Sequence, residues 1–331
     1  LRRDLPVLAL YPIALIVLTA IHLVAPQRSG PLALTQVFAP HLFLLALPLV
    51  PFAVPRTAVP LRACLAAVLV VAVFRFGPDW VSLPADEGAG TPVEVVTWNL
   101  QVGSDAGRDL VAVLTASRAD IVVLEELTPD HVALLEAADP LAVRYPHRLL
   151  RPADDVLGIG LLSVFPIVTS QPLLEPSGLM ADLDIGGPRS LTIASVHPRP
   201  PRYDELSPLP LPIAYRAQRR DDDLGVFREQ VDALLAADRR LVLLGDFNVA
   251  PTEPAFAELA EGLLDVHAEV GLGPGWTWRP SRIAFLPAGL LRIDHVFVSP
   301  DIQPVASSTD CSHPGDHCVV SARIVVPPEE P

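Results

Sequence analysis

Hydrophobic and polar positions divide the chain near residue 81. Before it, Leu5 to Ala25 is a run of 21 residues without Asp, Glu or Arg, and Pro31 to Val54 is a second run of 24. At about 1.5 Å of rise per residue, each is long enough to cross a hydrocarbon core of about 30 Å. Buried core helices are the alternative, but soluble cores rarely need runs this long and apolar. A cleaved signal peptide does not fit either, because a second run follows at once. A third segment, Val59 to Gly77, is apolar between Arg62 and Arg75, whose side chains can snorkel from helix ends. With three spans, Arg2, Arg3, Arg56 and Arg62 face the cytoplasm while Arg28 and Arg75 face out, which fits the positive-inside bias. The remaining chain then lies outside the cytoplasm; with two spans it would lie inside. Three spans are the reading favoured here. Residues 1–81 are thus expected to be a transmembrane region of about three helices, and 82–92, rich in Pro, Gly, Ala and acids, a linker.

From Val93 the pattern becomes that of a globular domain running to residue 327, with a short tail, 328–331. Alternation or short apolar runs predict strands over Val93–Leu100, Ile121–Glu125, Gly158–Val164, Met180–Asp184, Ser190–Val196, Leu241–Leu244, Ile293–Ser299 and Cys318–Val326. Helical spacing predicts helices over Asp109–Ser117, Pro129–Ala138, Tyr215–Ala237 and Pro254–Leu264. Strands outnumber helices, and many follow one another directly. That favours a layered mixed-sheet α/β domain over a doubly wound parallel one.

Composition adds three points. The formal net charge is −14; six Arg and four acids fall in residues 1–92, leaving 18 Arg and 34 acids, a net of −16, beyond them. Such a domain repels polyanions and lacks the basic footprint of a nucleic-acid binder. All basic residues are Arg, with much Ala, Pro and Val, as in a GC-rich genome; the chain begins at Leu1, as it would if the start were trimmed or used an unusual codon. Of three cysteines, Cys64 lies in an apolar segment, while Cys311 and Cys318 are close enough to form a disulfide outside the cytoplasm or to remain two thiols.

The candidate chemistry sits where polar residues end apolar strands: Asn99, Glu125 and Glu126, His197, Asp246 and Asn248, Asp294, and Asp316 with His317. Singly these could be turn caps, an Asx turn or solvated strand ends. Together they form an oxygen-rich set that suits Mg²⁺, with Mn²⁺ as the alternative, better than Zn²⁺. No zinc spacing, phosphate-binding GxxxxGK[ST] loop or GxSxG elbow occurs.

Thr97-Trp98-Asn99-Leu100, Leu124-Glu125-Glu126-Leu127, Ser195-Val196-His197-Pro198, Gly245-Asp246-Phe247-Asn248, Arg292-Ile293-Asp294-His295 and Gly315-Asp316-His317 occur in one order. In these blocks residues 93–327 resemble the endonuclease/exonuclease/phosphatase superfamily, which includes deoxyribonuclease-I-like nucleases, inositol-phosphate phosphatases and sphingomyelinases. The apolar N-terminal region together with Gly273-Pro274-Gly275-Trp276-Thr277-Trp278 looks like the membrane-anchored VanJ branch, linked to teicoplanin resistance and undecaprenyl-pyrophosphate dephosphorylation.

The resemblance implies a four-layer α/β sandwich of two mixed β-sheets flanked by helices, behind the transmembrane helices. It implies an Mg²⁺-dependent hydrolase of phosphate ester or anhydride bonds. Glu126 would be the main metal ligand, with Asn99 and Asp316 near it. Asp246 and Asn248 would orient water and the scissile phosphate or hold a second metal. His317 would be the catalytic histidine, oriented by Asp294, and His197 would touch the phosphate or the leaving oxygen. The expected substrate is lipid-linked and the expected location a multi-pass position in the cell membrane, with the catalytic domain outside. Nucleic acid is not the expected partner, although a nuclease or a sphingomyelinase-like phosphodiesterase of the same fold is the alternative activity. His295 reads as a strand residue facing away from the site. Arg199, Arg202, Arg216, Arg219 and Arg220 could grip a pyrophosphate, but a solvated Arg surface is the simpler reading. Three departures stand out: Glu125 where the family often has Gln, Gly315 where Ser is common, and Val164 where a basic residue often stands. The last would remove a charge near the site.

Overall fold

The computed structural model describes residues 5–53, 58–104, 106–187, 189–206, 211–281 and 288–328. Arg2, Arg3 and Arg56 of the topology argument, and the tail from 329 on, lie outside the described residues.

The apolar N-terminal region departs from three uninterrupted spans. Val59–Trp80, 22 residues long, is the one described helix that is by itself long and apolar enough to cross a membrane. The segment expected to span from Pro31 to Val54 is instead two pieces, Gly30–Val37 and Ala39–Ala53, bent by 71°. Pro40, in the first turn of the second piece, explains the break: it has no N–H to bond back to the preceding turn, and its ring crowds that turn's carbonyl. The first expected span is a short turn, Leu5–Leu8, and a 15-residue helix, Leu10–Val24, about 22 Å long. Leu10–Val24, the piece after Pro40 and Val59–Trp80 pack around Leu15, Ala39, Phe43, Ala46, Val68 and Phe76. Arg75 does not snorkel outward; its guanidinium reaches Thr19 Oγ1 at 3.1 Å and His22 Nδ1 at 3.2 Å on the neighbouring helix.

Fourteen strands follow among the described residues: β1 (Thr91–Asn99), β2 (Ile121–Glu125), β3 (His147–Arg151), β4 (Ile159–Ser163), β5 (Ile167–Pro172), β6 (Gly178–Leu183), β7 (Leu191–Val196), β8 (Arg202–Leu206), β9 (Leu211–Arg216), β10 (Arg240–Asp246), β11 (Leu264–Asp265), β12 (Asp294–Val298), β13 (Gln303–Asp310) and β14 (Val319–Val326). They form two six-stranded sheets, ordered β13-β14-β1-β2-β4-β3 and β11-β12-β10-β7-β6-β5, plus the β8–β9 hairpin. Each sheet is mixed: β1 runs parallel to β2 and β7 parallel to β10, and the remaining pairs are antiparallel.

The alternation of side chains across each strand decides the layers. Val93, Val95, Ile121 and Val123 of one sheet meet Ile193, Val242, Leu244 and Val296 of the other in the central core. Their neighbours point outward. Trp98, Val122 and Leu124 are covered by helices Ala106–Ala116, Pro129–Ala137 and Asp139–Arg144. Leu241, Leu243 and Phe297 are covered by Gln218–Ala236 and Pro254–Ala260. The result is helix, sheet, sheet, helix.

Two sequence expectations shift here. The helix expected from Tyr215 begins at Gln218, because Tyr215 and Arg216 belong to β9, where they pair with Tyr203 and Arg202. The helix expected to reach Leu264 stops at Ala260; Gly262, at φ +72, turns the chain, and Leu264 enters β11.

Candidate active site

The site forms at one end of both sheets, where strand register brings the polar strand ends together. Asn99 ends β1 beside Glu125 of parallel β2. Asp246 ends β10 directly opposite Asp294 of β12. His197 follows β7, and Asp316 and His317 precede β14. Because β4 is antiparallel to β2, pairing Ile159 with Glu125 and Ser163 with Ile121, Val164 lies at the far end from the site. The departure there removes no charge from the active centre, contrary to the expectation.

Asp246 is the hub. It is buried, and its Oδ2 lies 3.4 Å from His197 Nε2 and 3.6 Å from His317 Nε2 and accepts from Asn99 Nδ2 at 3.0 Å. Its Oδ1 accepts the Asn248 backbone N–H at 2.9 Å. Asn248 Nδ2 donates to Pro198 O at 3.1 Å. Asn99 also donates to Glu126 Oε1 at 3.2 Å, and Glu126 Oε2 accepts the Val102 N–H at 2.7 Å. Gln101, Glu126 and Asn248 have φ of 50°, 54° and 54°, left-handed values that side-chain-bearing residues seldom adopt. Gly245, at φ +152, has no such freedom to vary: an added Cβ would lie 2.9 Å from Ser195 Oγ and 3.0 Å from Glu125 Oε1.

His317 Nδ1 is 3.0 Å from each carboxylate oxygen of Asp294. His197 Nδ1 is 3.0 Å from Val156 O and donates to it, leaving Nε2 toward Asp246. Burial alone would lower both imidazoles. Asp294, then Asp246, outweighs it at His317 and pushes that ring up to about 10. The hydrogen bond and charge of Asp246 push His197 up to about 9. Burial would raise Asp246, but the charge of His317 and the bonds from His197 hold it down at about 2. Burial raises Asp316.

Ligand atoms of Asp246, Asp294 and His317 lie within 4.8 Å of one another. Asp294, however, is committed to the His317 ring through both oxygens, so this trio is better understood as a histidine held by carboxylates. The donors that suit a cation lie on the other side. Asp316 Oδ1 is buried and no protein atom hydrogen-bonds it, and Glu126 faces the same cavity. Unpaired carboxylate oxygens of this kind are hard donors for Mg²⁺ or Mn²⁺. Asn99, as placed, turns its amide nitrogen to the carboxylates and acts as a clamp on them.

All eight expected site residues therefore converge. Glu126, His197, Asp246, Asn248, Asp316 and His317 line a cavity of about 210 Å³, and Asn99 and Asp294 stand behind them. His295 faces away, with Nε2 2.8 Å from Val249 O among Phe247, Phe256 and Phe297, and burial lowers it to about 3. None of the five arginines lines the cavity. Arg199 pairs with Asp223, Arg216 with Asp204, and buried Arg220 with Glu253. Cys311 and Cys318 are joined, closing the loop that carries Asp316 and His317. The sequence reading missed Val37, Tyr203, Tyr215, Leu291 and Ile293, which also line the cavity. Trp278, from the 273–278 block, lines it with them.

The family model described as "Endonuclease/Exonuclease/phosphatase family" matches residues 96–317. Comparison with the curated proteins found no match. Among solved structures, D. rerio TDP2 complexed with single-strand DNA product is similar at 18% identity, over 71% of this chain and 99% of that one, with a TM-score of 0.54. The 3′ phosphatase NExo from Neisseria, bound to product DNA hairpin, has 21% identity, 70% and 98% coverage and a TM-score of 0.53. A functionally unknown conserved protein from Enterococcus faecalis V583 has 16% identity, 70% and 99% coverage and a TM-score of 0.53. At these identities the likeness is one of fold: two mixed sheets flanked by helices, deoxyribonuclease-I-like.

Proposed function

The chain belongs to the endonuclease/exonuclease/phosphatase family, whose members act on phosphate ester bonds, and on that premise we propose a membrane-anchored, divalent-metal phosphoesterase of a lipid-linked phosphate or pyrophosphate. Undecaprenyl pyrophosphate is the substrate that the VanJ-like resemblance names. The observation that carries the hydrolase reading is Asp246 set between the Nε2 atoms of two buried histidines, at 3.4 and 3.6 Å.

The residues divide the work by charge. Glu126 and Asp316 would hold Mg²⁺, with Asn99 and Asp246 beside them and Asn248 bordering any second metal. Once bound, the ion would neutralise phosphoryl charge and lower the pKa of a water. Asp246, held ionised, accepts a hydrogen bond from the attacking water, orients it and takes its proton as the new P–O bond forms. Asn248 lies where its amide can meet a phosphoryl oxygen. His317, locked by Asp294 with Nε2–H toward the cavity, stabilises the charge that develops on phosphorus. His197 presents Nε2–H to the leaving oxygen, which takes a proton as the P–O bond breaks.

The membrane reading rests on Val59–Trp80 and on the apolar side chains it leaves exposed, among them Leu69, Val70, Val73 and Phe74. Leu10, Ile13, Val17 and Leu23 of the neighbouring helix are exposed as well, and clustered bare apolar side chains of this kind mark a surface that meets lipid or a partner. An anchor at Val59–Trp80 would hold the site near lipid head groups. The Cys311–Cys318 disulfide favours an oxidising compartment, hence a catalytic domain outside the cytoplasm.

A second reading, hydrolysis of DNA, is favoured by the two relatives with bound DNA. Against it stand the net charge of −16 beyond residue 92 and a cavity without Arg among the described residues. The test is a panel assayed with purified full chain and Mg²⁺: undecaprenyl pyrophosphate, plasmid and sphingomyelin. Inorganic phosphate from the first supports the proposal. Plasmid nicking or phosphocholine release, with no phosphate from the lipid, replaces it.

A further inference from the structure

The catalytic cavity has two unlike sides. One carries the carboxylates and histidines. The other is mostly carbon, Val37, Trp278, Leu291 and Ile293 with Tyr203 and Tyr215, its one carboxylate being the Arg220-paired Glu253. The Tyr215 hydroxyl is occupied, donating to Glu253 at 2.9 Å and accepting from Arg220 at 2.8 Å, so the ring is what faces the cavity.

Val37 comes from the N-terminal region. Its helix, Gly30–Val37, is fastened to the catalytic domain: Ser29 and Gly30 bridge to Arg216 and Tyr215 of β9, and Gln36 Nε2 donates to Thr252 O at 2.8 Å. Ala33 and Val37 are buried against Tyr215, Ala250, Leu291 and Ile293. The anchor is therefore built into the wall of the site.

The wall also has a direction. Val37 and Leu291 also border a second, narrow gap lined by Phe76 and Trp80 together with His41, Asp79 and Arg292. Phe76 and Trp80 in turn border an apolar groove of about 680 Å³ along Val59–Trp80. Apolar side chains thus recur from beside His317 to the one described helix long enough to cross a membrane, with His41, Asp79 and Arg292 among them at the narrow gap. Among the described residues no Arg lines the catalytic cavity to meet the next phosphate of a nucleic-acid strand, and Arg292 at the gap is already paired with Asp265. A hydrocarbon chain finds Val37, Trp278, Leu291 and Ile293 in the cavity and the apolar groove on Val59–Trp80 beyond it.

We infer that the N-terminal segment is a substrate-binding element: Val37, with Trp278, Leu291 and Ile293, holds the first carbons of the substrate's hydrocarbon chain and directs the rest toward the groove on Val59–Trp80. This rests on the lipid-phosphate reading and adds to it the part of the protein that selects the chain.

The test compares a five-carbon and a fifteen-carbon prenyl pyrophosphate, in one detergent, with the full chain and Mg²⁺. Each buried methylene raises affinity about fourfold, so kcat/KM for phosphate release rises at least about tenfold from the short to the long substrate, mainly through KM. Val37→Glu abolishes that rise. Val37→Ala, which cannot fail through a buried charge, reduces it about two- to fivefold. Equal kcat/KM for both substrates in the parent, or a length dependence unchanged in both variants, overturns the inference while leaving the lipid reading in place. No phosphate from either substrate, with cleavage of an oligonucleotide, overturns the lipid reading itself.

Discussion

His317 Nδ1 lies 3.0 Å from both carboxylate oxygens of Asp294, and Asp294 stands directly across the β10–β12 ladder from Asp246. The register of two strands thus sets one carboxylate behind the ring and another in front of its Nε2. Asp294→Asn keeps the shape and removes the charge. It should lower kcat about 10²- to 10⁴-fold. Asp294 also raises the His317 ring, so the alkaline limb of the kcat profile should move to lower pH in the variant. An unchanged profile would reduce Asp294 to packing.

Glu125 fills the place of a common Gln. Burial, with the charges of Asp294 and Asp246, pushes its carboxyl up to about 8 against the 2.8 Å hydrogen bond from Thr97. The folded protein therefore favours the neutral acid, the near-isostere of Gln. A raised folded pKa means stability that is full below about 4.5 and is lost as pH rises through about 8. Glu125→Gln should keep activity within about threefold. In EDTA its melting temperature should gain on the parent as pH rises from about 5 to about 8. A gap independent of pH would mean that Glu125 is ionised in the fold.

Arg220 is buried, and it bonds Glu253 twice, at 3.0 and 2.7 Å, and Asn248 O at 2.7 Å. It fixes the 248–253 turn from below, and Glu253 Oε1 also accepts the Ala250 N–H at 2.8 Å. Arg220→Met leaves Glu253 buried without its partner and should cost about 3–5 kcal/mol in urea unfolding. The double variant Arg220→Met/Glu253→Gln should recover part of that loss. Equal stability of single and double variants would deny the pairing.

Glu126 and Asp316 line one cavity, and Asp316 Oδ1 is buried without a hydrogen-bond partner. At about 100-fold excess over Kd, Mg²⁺ should raise the catalytic-domain melting temperature by about 5–10 °C. Glu126→Gln and Asp316→Asn should each remove most of that rise, whereas Asp294→Asn should keep it. Loss in Asp294→Asn alone would move the cation to the His317 side.

The candidate site residues were legible because each interrupts an apolar strand at its end, where a buried polar side chain has no packing reason to be. The central strands were legible for the complementary reason: strands such as Ile121–Glu125 and Leu191–Val196 are buried throughout. Edge and exposed strands carry no such signal. Residues 167–172 are mostly exposed, and 303–310 mix buried and exposed positions. The hairpin 202–216 hid behind prolines and merged into the following helix. Nothing local pairs Val37 with Leu291; only the folded chain brings them to one cavity. The apolar length of residues 31–54 suggested a span, but the break at Pro40 turns its first part onto the catalytic domain.

The most direct test of the account is inorganic phosphate release from undecaprenyl pyrophosphate by the detergent-purified full chain, with Mg²⁺ and with EDTA, beside His317→Ala. The account predicts release with Mg²⁺, a fall of about 10³-fold or more in His317→Ala, and none above background in EDTA. Release that survives both His317→Ala and EDTA would contradict it.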